Sequence, residues 1–338
     1  MHYLVTGHTG FKGAWLTLLL RSRGHTVSGL SLDPLEGSLF ETARLAELVE
    51  DDRRVDIRDA TATATAIREM APDVVFHLAA QPLVRRSYAD PRETFETNVM
   101  GTLNVLEAVS TTPSVVAQVI VTTDKVYRNV DQRAGYRESD PLGGDDPYSA
   151  SKAMADILTQ SWVKSFPGVA TAVARAGNVI GGGDVSPDRL MPDLLNSYSH
   201  GEPASLRYPL AVRPWQHVLD CLNGYLVLSD ALLAGTGAGE WNFGPGEESF
   251  VAVGEVADIT ARLWGDGATW SAPGGEYLHE ANLLALDSAK AIENLGWSNR
   301  LVFPQSVEWT VDWYRAVADG LDTRAVTADQ IRAFGELA

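Results

Sequence analysis

Short apolar runs alternate with amphipathic stretches through the first half of the chain. The runs are nearly continuous in apolar residues, which is typical of strands buried on both faces: YLVTG, HTVSGLSL, DVVFHLA, VAQVIVTT and VATAVARAGNVI. Between them, the pattern predicts helices over FKGAWLTLLLRSRG, from about Arg92 to Ser110, and from about Tyr148 to Ser165. Strands that alternate with helices indicate a parallel sheet with helices on both faces, connected by right-handed crossovers.

The pattern changes after about Asn178. The segment GGGDVSPDRLMPD is rich in Gly and Pro and predicts a loop, and the remainder mixes helices with short strands such as WNFGP. We therefore predict an α/β fold in which a Rossmann-like, doubly wound parallel sheet occupies residues 1–178. Later segments are expected to cross back to this sheet near 214–245. A smaller C-terminal α/β domain is expected mainly over 179–338.

Composition narrows the possible partners. The chain has 338 residues and a formal net charge of −17, and an acidic surface of this kind repels nucleic acid and anionic lipid. The single cysteine, Cys221, excludes an intramolecular disulfide and any cysteine-based metal site. The N-terminal MHYLVTG lacks the regions of a signal peptide, and no apolar run reaches the ~18 residues of a spanning helix. We expect a cytoplasmic protein without a metal, a nucleic acid or a membrane partner.

A glycine loop follows the first strand and opens the first predicted helix. Gly7, Gly10 and Gly13 in VTGHTGFKG permit a tight turn, and the positive end of the helix suits a pyrophosphate. The spacing differs from the general Gly-x-Gly-x-x-Gly fingerprint, and a plain strand–turn–helix loop is the alternative. The strand before and the helix after the loop favour a dinucleotide site, which makes residues 1–178 the cofactor domain.

The acid that holds the adenosine ribose is less clear from the sequence. The second strand ends at Ser31, and Asp33 is the candidate, unless the ribose is held more loosely. Asp56 and Ile57 lie near the next strand end, where an acid can meet the adenine amino group. Because no arginine follows the second strand directly, we favour NAD over NADP.

A tyrosine and a lysine stand four residues apart in DPYSASKAMAD. On a helix, Tyr148 and Lys152 share one face, and a nearby ammonium lowers the pKa of a phenol. Such a phenol can take a hydroxyl proton while a nicotinamide takes a hydride, and Thr123 would share the hydrogen bond to the hydroxyl. The spacing alone arises by chance in many helices. Together with the glycine loop and a strand that ends in TTDK, it indicates a dehydrogenase-type site.

These motifs together resemble the extended short-chain dehydrogenase/reductases that act on nucleotide sugars, and within them the CDP-glucose 4,6-dehydratases. The segments that carry the resemblance are VTGHTGFKGAWL, TTDKVY, PYSASK, RAGNVIGGGD, DRLMPD, RPWQHV, WNFGP, HEANLLALD and TADQIRAF. The likeness runs nearly end to end. Lys125 after Asp124 is its specific feature, since other sugar-nucleotide 4,6-dehydratases usually have Asp-Glu there and the epimerases have neither charge.

The resemblance implies a reaction in three parts. A C4 hydroxyl is oxidised, water leaves C5 and C6, and the hydride returns to C6. Asp124 is implied as the acid that protonates the departing C6 oxygen. Lys125 is implied either as the base for the C5 proton or as a charge that stabilises the enolate. His8 is implied to face this site and to shuttle the proton, and the alternative is an exposed loop histidine near the pyrophosphate.

The resemblance also implies the binding residues. Those for NAD are Gly7, Thr9, Gly10, Phe11, Lys12, Gly13, Ser31, Asp33, Asp56, Ile57, Leu78, Ala79, Ala80, Gln81, Asn98, Thr122, Tyr148 and Lys152. Those for a nucleotide-sugar substrate, with a CDP-hexose expected, are Leu83, Asn178, Arg189, Leu190, Arg213 and His279. Either arginine could instead be structural and paired with a carboxylate. Val185, YPLAVRPW and GGEYLHE depart from the family pattern, so the sugar itself stays open.

Two other functions remain possible on the sequence alone. A related nucleotide-sugar enzyme, such as a 4- or 5-epimerase or a 5,6-dehydratase, would share the oxidation at C4. A cofactor-binding regulator would show no turnover. The resemblance further implies a homodimer in which the helices near Arg92–Ser110 and Tyr148–Ser165 pair across a two-fold axis.

Overall fold

The computed structural model describes residues 1–130, 132, 134–274 and 284–337. Twelve strands occur in this part of the chain: β1 (His2–Thr6), β2 (Thr26–Ser31), β3 (Asp52–Arg54), β4 (Val74–His77), β5 (Ala117–Val121), β6 (Ala170–Ala176), β7 (Asn178–Ile180), β8 (Ala204–Ser205), β9 (Val212–His217), β10 (Gly239–Phe243), β11 (Phe250–Ala252) and β12 (Trp270–Ser271).

Thirteen α-helices occur within the same residues: α1 (Phe11–Ser22), α2 (Leu39–Thr42), α3 (Ala60–Met70), α4 (Val84–Ala89), α5 (Pro91–Phe95), α6 (Gly101–Ser110), α7 (Pro147–Ser165), α8 (Leu190–Ser199), α9 (Val218–Leu233), α10 (Val253–Trp264), α11 (Ala289–Leu295), α12 (Gln305–Ala318) and α13 (Thr323–Glu336). A π-helical segment, Glu96–Met100, joins α5 to α6. None of the described helices is both long enough and apolar enough to cross a lipid bilayer.

Seven strands form one parallel sheet in the order β10–β6–β5–β4–β1–β2–β3. Alternate residues of β1 point to its two faces. Tyr3 and Val5 belong to one apolar cluster with Trp15 of α1, whereas Leu4 belongs to another with Ile67 of α3. A sheet that is apolar on both faces needs helices on both faces. The predicted doubly wound parallel sheet is confirmed.

A smaller α/β unit has its own core. In it β9 pairs in parallel with β7 and antiparallel with β11, and β8 pairs with β12. Apolar side chains of α8, α10 and α12 pack with β9 in this core, including Leu194, Val256, Val311 and Trp215. The chain also returns to the large sheet, because α9 packs in the core of that sheet and β10 pairs with β6.

The apolar run VATAVARAGNVI divides between the two sheets. Residues of β6 lie beside β5 in the large sheet, and β7 begins two residues later beside β9. The turn is at Gly177, where a Cβ would lie 2.9 Å from the carboxylate Oδ2 of Asp124. A side chain at Gly177 would therefore meet Asp124. The loop expected over GGGDVSPDRLMPD ends earlier than its pattern suggested, because α8 begins at Leu190.

Candidate active site

The glycine loop brings the N-terminus of α1 close to the end of the sheet. Gly7 has a φ of +76°, and a Cβ there would lie 2.8 Å from the backbone nitrogen of Ala79. A Cβ at Gly13 would lie 2.1 Å from the Gly7 carbonyl oxygen, so only glycine lets the first turn of α1 pack on the loop. Gly10 caps α1 through its backbone. This positive helix end fits the pyrophosphate of a dinucleotide.

Phe11 and Lys12 begin α1 and are half-buried. Lys12 Nζ lies 6.0 Å from the centroid of the Tyr225 ring. Its ammonium is also close enough to act electrostatically on Asp124 and Lys152. The helix end therefore adds a side-chain charge to that of the backbone amides.

Two buried hydroxyl groups and an exposed acid lie where β2 ends. Thr9 Oγ1 is 2.7 Å from Ser31 Oγ and donates to the Leu32 carbonyl oxygen at 3.1 Å. The Asp33 side chain is 89% exposed, and its Oδ1 lies 3.3 Å from Nε of Arg54. This arginine is not predicted by the sequence around β2, because Arg54 is the last residue of β3.

The two residues expected near the adenine, Asp56 and Ile57, contact other parts of the chain. Asp56 accepts hydrogen bonds from the backbone nitrogen and from Nε of Arg58, at 2.9 and 3.0 Å. The Ile57 side chain is buried against α6, where a Cβ added at Gly101 would lie 2.5 Å from its Cδ1. The Asp56 carboxylate is therefore paired with Arg58. The sequence did not predict this ion pair.

The structure corrects both interpretations of His8. The imidazole is fully buried, and its Nε2 lies 2.7 Å from Asp52 Oδ1. The ring packs edge-on to Phe40 and occupies the space above Gly29, where a Cβ would lie 2.3 Å from the imidazole. All these contacts are on the β2–β3 side of the sheet, whereas Asp124 follows β5. His8 is thus neither a proton shuttle at Asp124 nor an exposed loop residue, because the side chain points from the loop into the sheet edge.

The loop after β4 is held by the side-chain amides of Gln81, within the loop, and of Asn98, in the π-helical segment. Leu78, Ala79 and Ala80 follow the strand and are half-buried beside the glycine loop. Asn98 Oδ1 accepts from the Gln81 backbone nitrogen at 2.8 Å, and Asn98 Nδ2 donates to Ser151 Oγ at 2.9 Å. The Gln81 side chain folds back on the backbone of the same loop. The side chains of Gln81 and Asn98 thus position this loop, and contacts of the two residues with a cofactor stay a prediction.

Thr122 is held by a buried acid of α7. Its hydroxyl donates to Asp156 Oδ2 at 3.1 Å in the protein interior. Asp156 in turn forms two hydrogen bonds, each 2.8 Å, with the guanidinium of Arg175, and neither side chain is exposed. Arg175 also donates to the Tyr127 hydroxyl at 2.8 Å. Thr122 therefore anchors the end of β5 through its hydroxyl, and its contact with a cofactor stays a prediction.

The residues after β5 bring an acid, a hydroxyl and a cation together. Thr123 donates to Asp124 Oδ1 at 2.8 Å and is hydrogen-bonded to Tyr148 of α7. Asp124 is only 4% exposed, and burial raises the pKa of its carboxyl, although Lys125 and Thr123 act in the opposite direction. A raised pKa favours the protonated form, which can donate a proton. Lys125 is half-buried and lines the adjacent cavity.

The environment of Tyr148 corrects the expected source of its activation. Burial raises the pKa of Tyr148, and Arg189, followed by Thr123, acts in the opposite direction. Lys152 Nζ donates to the Val121 carbonyl oxygen at 3.0 Å, so the ammonium is tied to the end of β5. Burial, followed by the charge of Lys12, lowers the pKa of Lys152 to about 8.

A cavity of about 560 Å³ opens beside this cluster, between the two units of the fold. Five of the expected substrate residues line it: Leu83, Asn178, Arg189, Leu190 and Arg213. The sixth, His279, lies outside the described residues. Arg189 donates to the Pro82 carbonyl oxygen at 3.2 Å, so the loop after β4 and the segment before α8 meet at the cavity.

Comparison with known proteins identifies this arrangement. The model of the NAD dependent epimerase/dehydratase family matches residues 3–244. The chain belongs to this family. The expected resemblance is thereby confirmed, as is NAD as the cofactor that the family uses.

Individual relatives span nearly the whole chain. It is 45% identical, over 94% of its length and 91% of the relative's, to a CDP-glucose 4,6-dehydratase of Salmonella typhimurium. It is 30% identical, over 93% of its length and 92% of the relative's, to a dTDP-glucose 4,6-dehydratase of Streptomyces antibioticus. Among solved structures, the Streptomyces venezuelae dTDP-glucose 4,6-dehydratase with NAD bound superposes with a TM-score of 0.82, at 26% identity and over 96% of this chain and 100% of that one. The Thermus thermophilus UDP-glucose 4-epimerase with NAD gives 0.81, at 27% identity and over 93% and 99%.

Three cavity residues of this family member were not expected. Asp188, with a left-handed φ of +61°, accepts from Arg85 of α4 at 3.0 Å and from Arg207 at 2.6 Å. All three line the cavity. Arg207 stands six residues before Arg213 in SLRYPLAVRPW. This nearness to an expected substrate residue could have indicated Arg207 as a cavity residue. Nothing in the local sequence of Arg85 indicates that it pairs with Asp188.

Proposed function

We propose that this chain catalyses the NAD-dependent 4,6-dehydration of CDP-glucose to CDP-4-keto-6-deoxyglucose. The observation that carries the proposal is the Asp124–Lys125 pair, which stands beside Thr123 and Tyr148 and next to the arginine-lined cavity. The 45% identity with the Salmonella typhimurium CDP-glucose 4,6-dehydratase supports both the reaction and the nucleotide.

Oxidation at C4 needs a group that accepts the hydroxyl proton. Tyr148 is that group in the proposal, with Thr123 hydrogen-bonded to it. NAD, when bound, accepts a hydride from C4 and returns it at C6. Burial raises the pKa of Tyr148, and the charge of Arg189 acts in the opposite direction, towards the phenolate form that takes a proton.

Elimination needs an acid at the C6 oxygen and a base or a positive charge at C5. Burial keeps the Asp124 carboxyl in its protonated form to higher pH, so it can protonate the departing oxygen. Lys125 either removes the C5 proton or stabilises the enolate, and both roles need its amine beside the sugar. Asp124, Lys125 and Tyr148 stay within one cluster because Thr123 bonds to the acid and to the phenol.

The remaining part of the cavity suits a nucleotide diphosphate. Four arginines line it: Arg85, Arg189, Arg207 and Arg213. A guanidinium presents a planar fork of donors that matches phosphate oxygens. Asn178, at the start of β7, adds an amide to the same cavity.

The proposal is tested by product mass. Purified protein with NAD is incubated separately with the CDP, dTDP, UDP and GDP forms of glucose. The expected product is lighter by one molecule of water and forms fastest from CDP-glucose. A product of unchanged mass but different configuration would indicate an epimerase, and no reaction with any of the four would indicate a protein that only binds.

Assembly and location extend the proposal. We propose a homodimer in which α5 to α7 pair with those of a second copy. Met100, Met154 and Ile157 of these segments are about half exposed, at 49%, 48% and 51%, and an interface would cover them. Cytoplasmic location stays a prediction from the sequence.

A further inference from the structure

Gly177 stands where the chain passes from the large sheet to the smaller unit. It is the single residue between β6 and β7, and its φ is not positive. An alanine could therefore adopt the same backbone conformation. What glycine supplies at this turn is space around its Cα.

The acid of the site borders this space. A Cβ at Gly177 would lie 2.9 Å from Oδ2 and 3.5 Å from Cγ of Asp124, and the first distance is shorter than real Cβ contacts. The next neighbour is the Pro214 ring of β9, whose Cγ would lie 3.6 Å away, an ordinary van der Waals distance. A methyl group at position 177 would therefore displace Asp124 before it displaced β9.

The Asp124 carboxyl group cannot turn away from such a methyl group without a loss. Its Oδ1 accepts from the Thr123 hydroxyl at 2.8 Å, and Thr123 is also hydrogen-bonded to Tyr148. Rotation of the carboxyl group moves both of its oxygens, so it would weaken the bond to Thr123. Asp124 is also only 4% exposed, and its neighbours leave it little room to shift.

Oδ2 is the oxygen that carries the acidic proton. Because Oδ1 accepts from Thr123, a proton on the Asp124 carboxyl group belongs on Oδ2. This oxygen faces the turn whose next residue, Asn178, lines the cavity. In the proposed elimination a base takes the C5 proton, and the electron pair of that C–H bond forms the C5–C6 double bond. The C6–O bond breaks, and the proton of Oδ2 passes to the departing oxygen, so that water leaves.

We propose that Gly177 is a positioning residue for this acid, because its missing side chain leaves Oδ2 the place from which it protonates the C6 oxygen. The inference rests on the proposed dehydration. It acts on one step only, since oxidation at C4 uses Tyr148 whereas elimination uses Asp124. A side chain at position 177 slows elimination and spares oxidation.

The test follows both steps in Gly177→Ala during a single turnover of CDP-glucose by full-length protein loaded with NAD. Mass spectrometry distinguishes the 4-keto nucleotide sugar, which has lost two hydrogen atoms, from the product that has lost water. Oxidation should stay within about twofold of the wild type and elimination should slow roughly tenfold or more, because a misplacement of about 1 Å can cost 10²-fold. The 4-keto nucleotide sugar should therefore accumulate in this variant.

Two double variants separate positioning of the acid from general packing. Asp124→Asn has no acidic proton to place, so adding Gly177→Ala to it should slow elimination no further. Pro214→Ala removes the ring on the β9 side and leaves the contact with Asp124. Adding Pro214→Ala to Gly177→Ala should therefore not restore elimination.

Several results would overturn the inference. These are elimination by Gly177→Ala at the wild-type rate, an equal loss of both steps or of folding, a further loss in the Asp124→Asn background, and recovery with Pro214→Ala. Each of them leaves the proposed function standing if the wild type dehydrates CDP-glucose. A wild type that releases no dehydrated sugar would overturn the proposed function and this inference with it.

Discussion

At the scale of single residues, burial shifts the pKa of a carboxyl and the pKa of an amine in opposite directions. Burial raises the pKa of Asp124 and favours its protonated form, and burial followed by the Lys12 charge lowers the pKa of Lys152 and favours the neutral amine. The same low-dielectric interior thus favours a protonated carboxyl at Asp124 and a neutral amine at Lys152. Thr123 joins Asp124 to Tyr148, the base of the proposed oxidation step.

Tyr148→Phe removes the acceptor of the C4 hydroxyl proton. We expect turnover of CDP-glucose to fall roughly 10²- to 10⁴-fold, the usual contribution of a general base, while NAD binding is retained. Turnover is measured by product mass and NAD binding by titration. A folded variant with near-normal turnover would remove Tyr148 from the mechanism.

Lys125→Met retains the length of the side chain and removes the amine. We expect the variant to oxidise C4 and then stall, because the C5 proton has no base and the enolate no nearby cation. Mass spectrometry should detect a 4-keto nucleotide sugar that has lost two hydrogen atoms but no water. Lys164→Met, at an exposed lysine of α7, is the control and should dehydrate normally. Dehydration by Lys125→Met at the wild-type rate would contradict the role of the pair.

Lys152 gives stability a defined pH dependence. Its folded pKa is about 8 against 10.5 in the unfolded chain, so the unfolded state binds more protons between these two values. The free energy of unfolding therefore increases as pH rises through this window, by roughly 3 kcal/mol in total, because the cost of burying a charged Lys152 is removed. The free energy of unfolding of the wild type, relative to Lys152→Met, should increase from pH 8 to pH 10.5 in urea titrations. A constant difference across the window would show that the lysine is not desolvated.

At the scale of elements, a buried ion pair joins β6 to α7 behind the site. The Arg175 guanidinium and the Asp156 carboxylate are both fully buried, and Thr122 and Tyr127 bond to them. Tyr127 continues the network to Asn242 of β10 at 2.8 Å. The segment that carries Asp124 and the helix that carries Tyr148 are thus attached to the same pair.

Asp156→Asn removes one charge of this pair and keeps the side-chain shape. Because Arg175 would be left buried without its counter-ion, we expect a loss of roughly 3–5 kcal/mol in the free energy of unfolding. Asp329→Asn, in the exposed pair with Arg332, is the control and should cost less than about 1 kcal/mol. Urea denaturation measures both, and equal effects of the two substitutions would contradict the argument.

At the scale of the whole molecule, the proposed dimer is a testable feature. Met154→Glu together with Ile157→Glu places two charges on the outer face of α7, where a second copy is expected. Light scattering should give a dimer mass for the wild type and a monomer mass for this variant at micromolar concentration. Val116→Glu, at a residue with a similar exposure of 51% before β5, should stay dimeric. A monomeric wild type would contradict the proposed assembly.

Local patterns determined much of this protein in advance. The alternation of apolar runs and helices indicated the parallel sheet, since both faces of its strands must be covered. The spacing of Tyr148 and Lys152 placed them on one face of α7, and the three glycines marked the turn before α1. These features depend on residues near one another along the chain, so helix periodicity and steric limits are sufficient to predict them.

Only the tertiary structure decided where the side chains of distant segments meet. In the fold, His8 contacts Asp52 and not Asp124. Lys152 donates to the Val121 carbonyl oxygen, and Arg54 lies beside Asp33. It also assembled Arg85, Asp188 and Arg207 from three separate segments. The physical reason is that a side chain's direction and its partner depend on the packing of neighbouring strands and loops. No periodicity along the chain encodes these contacts.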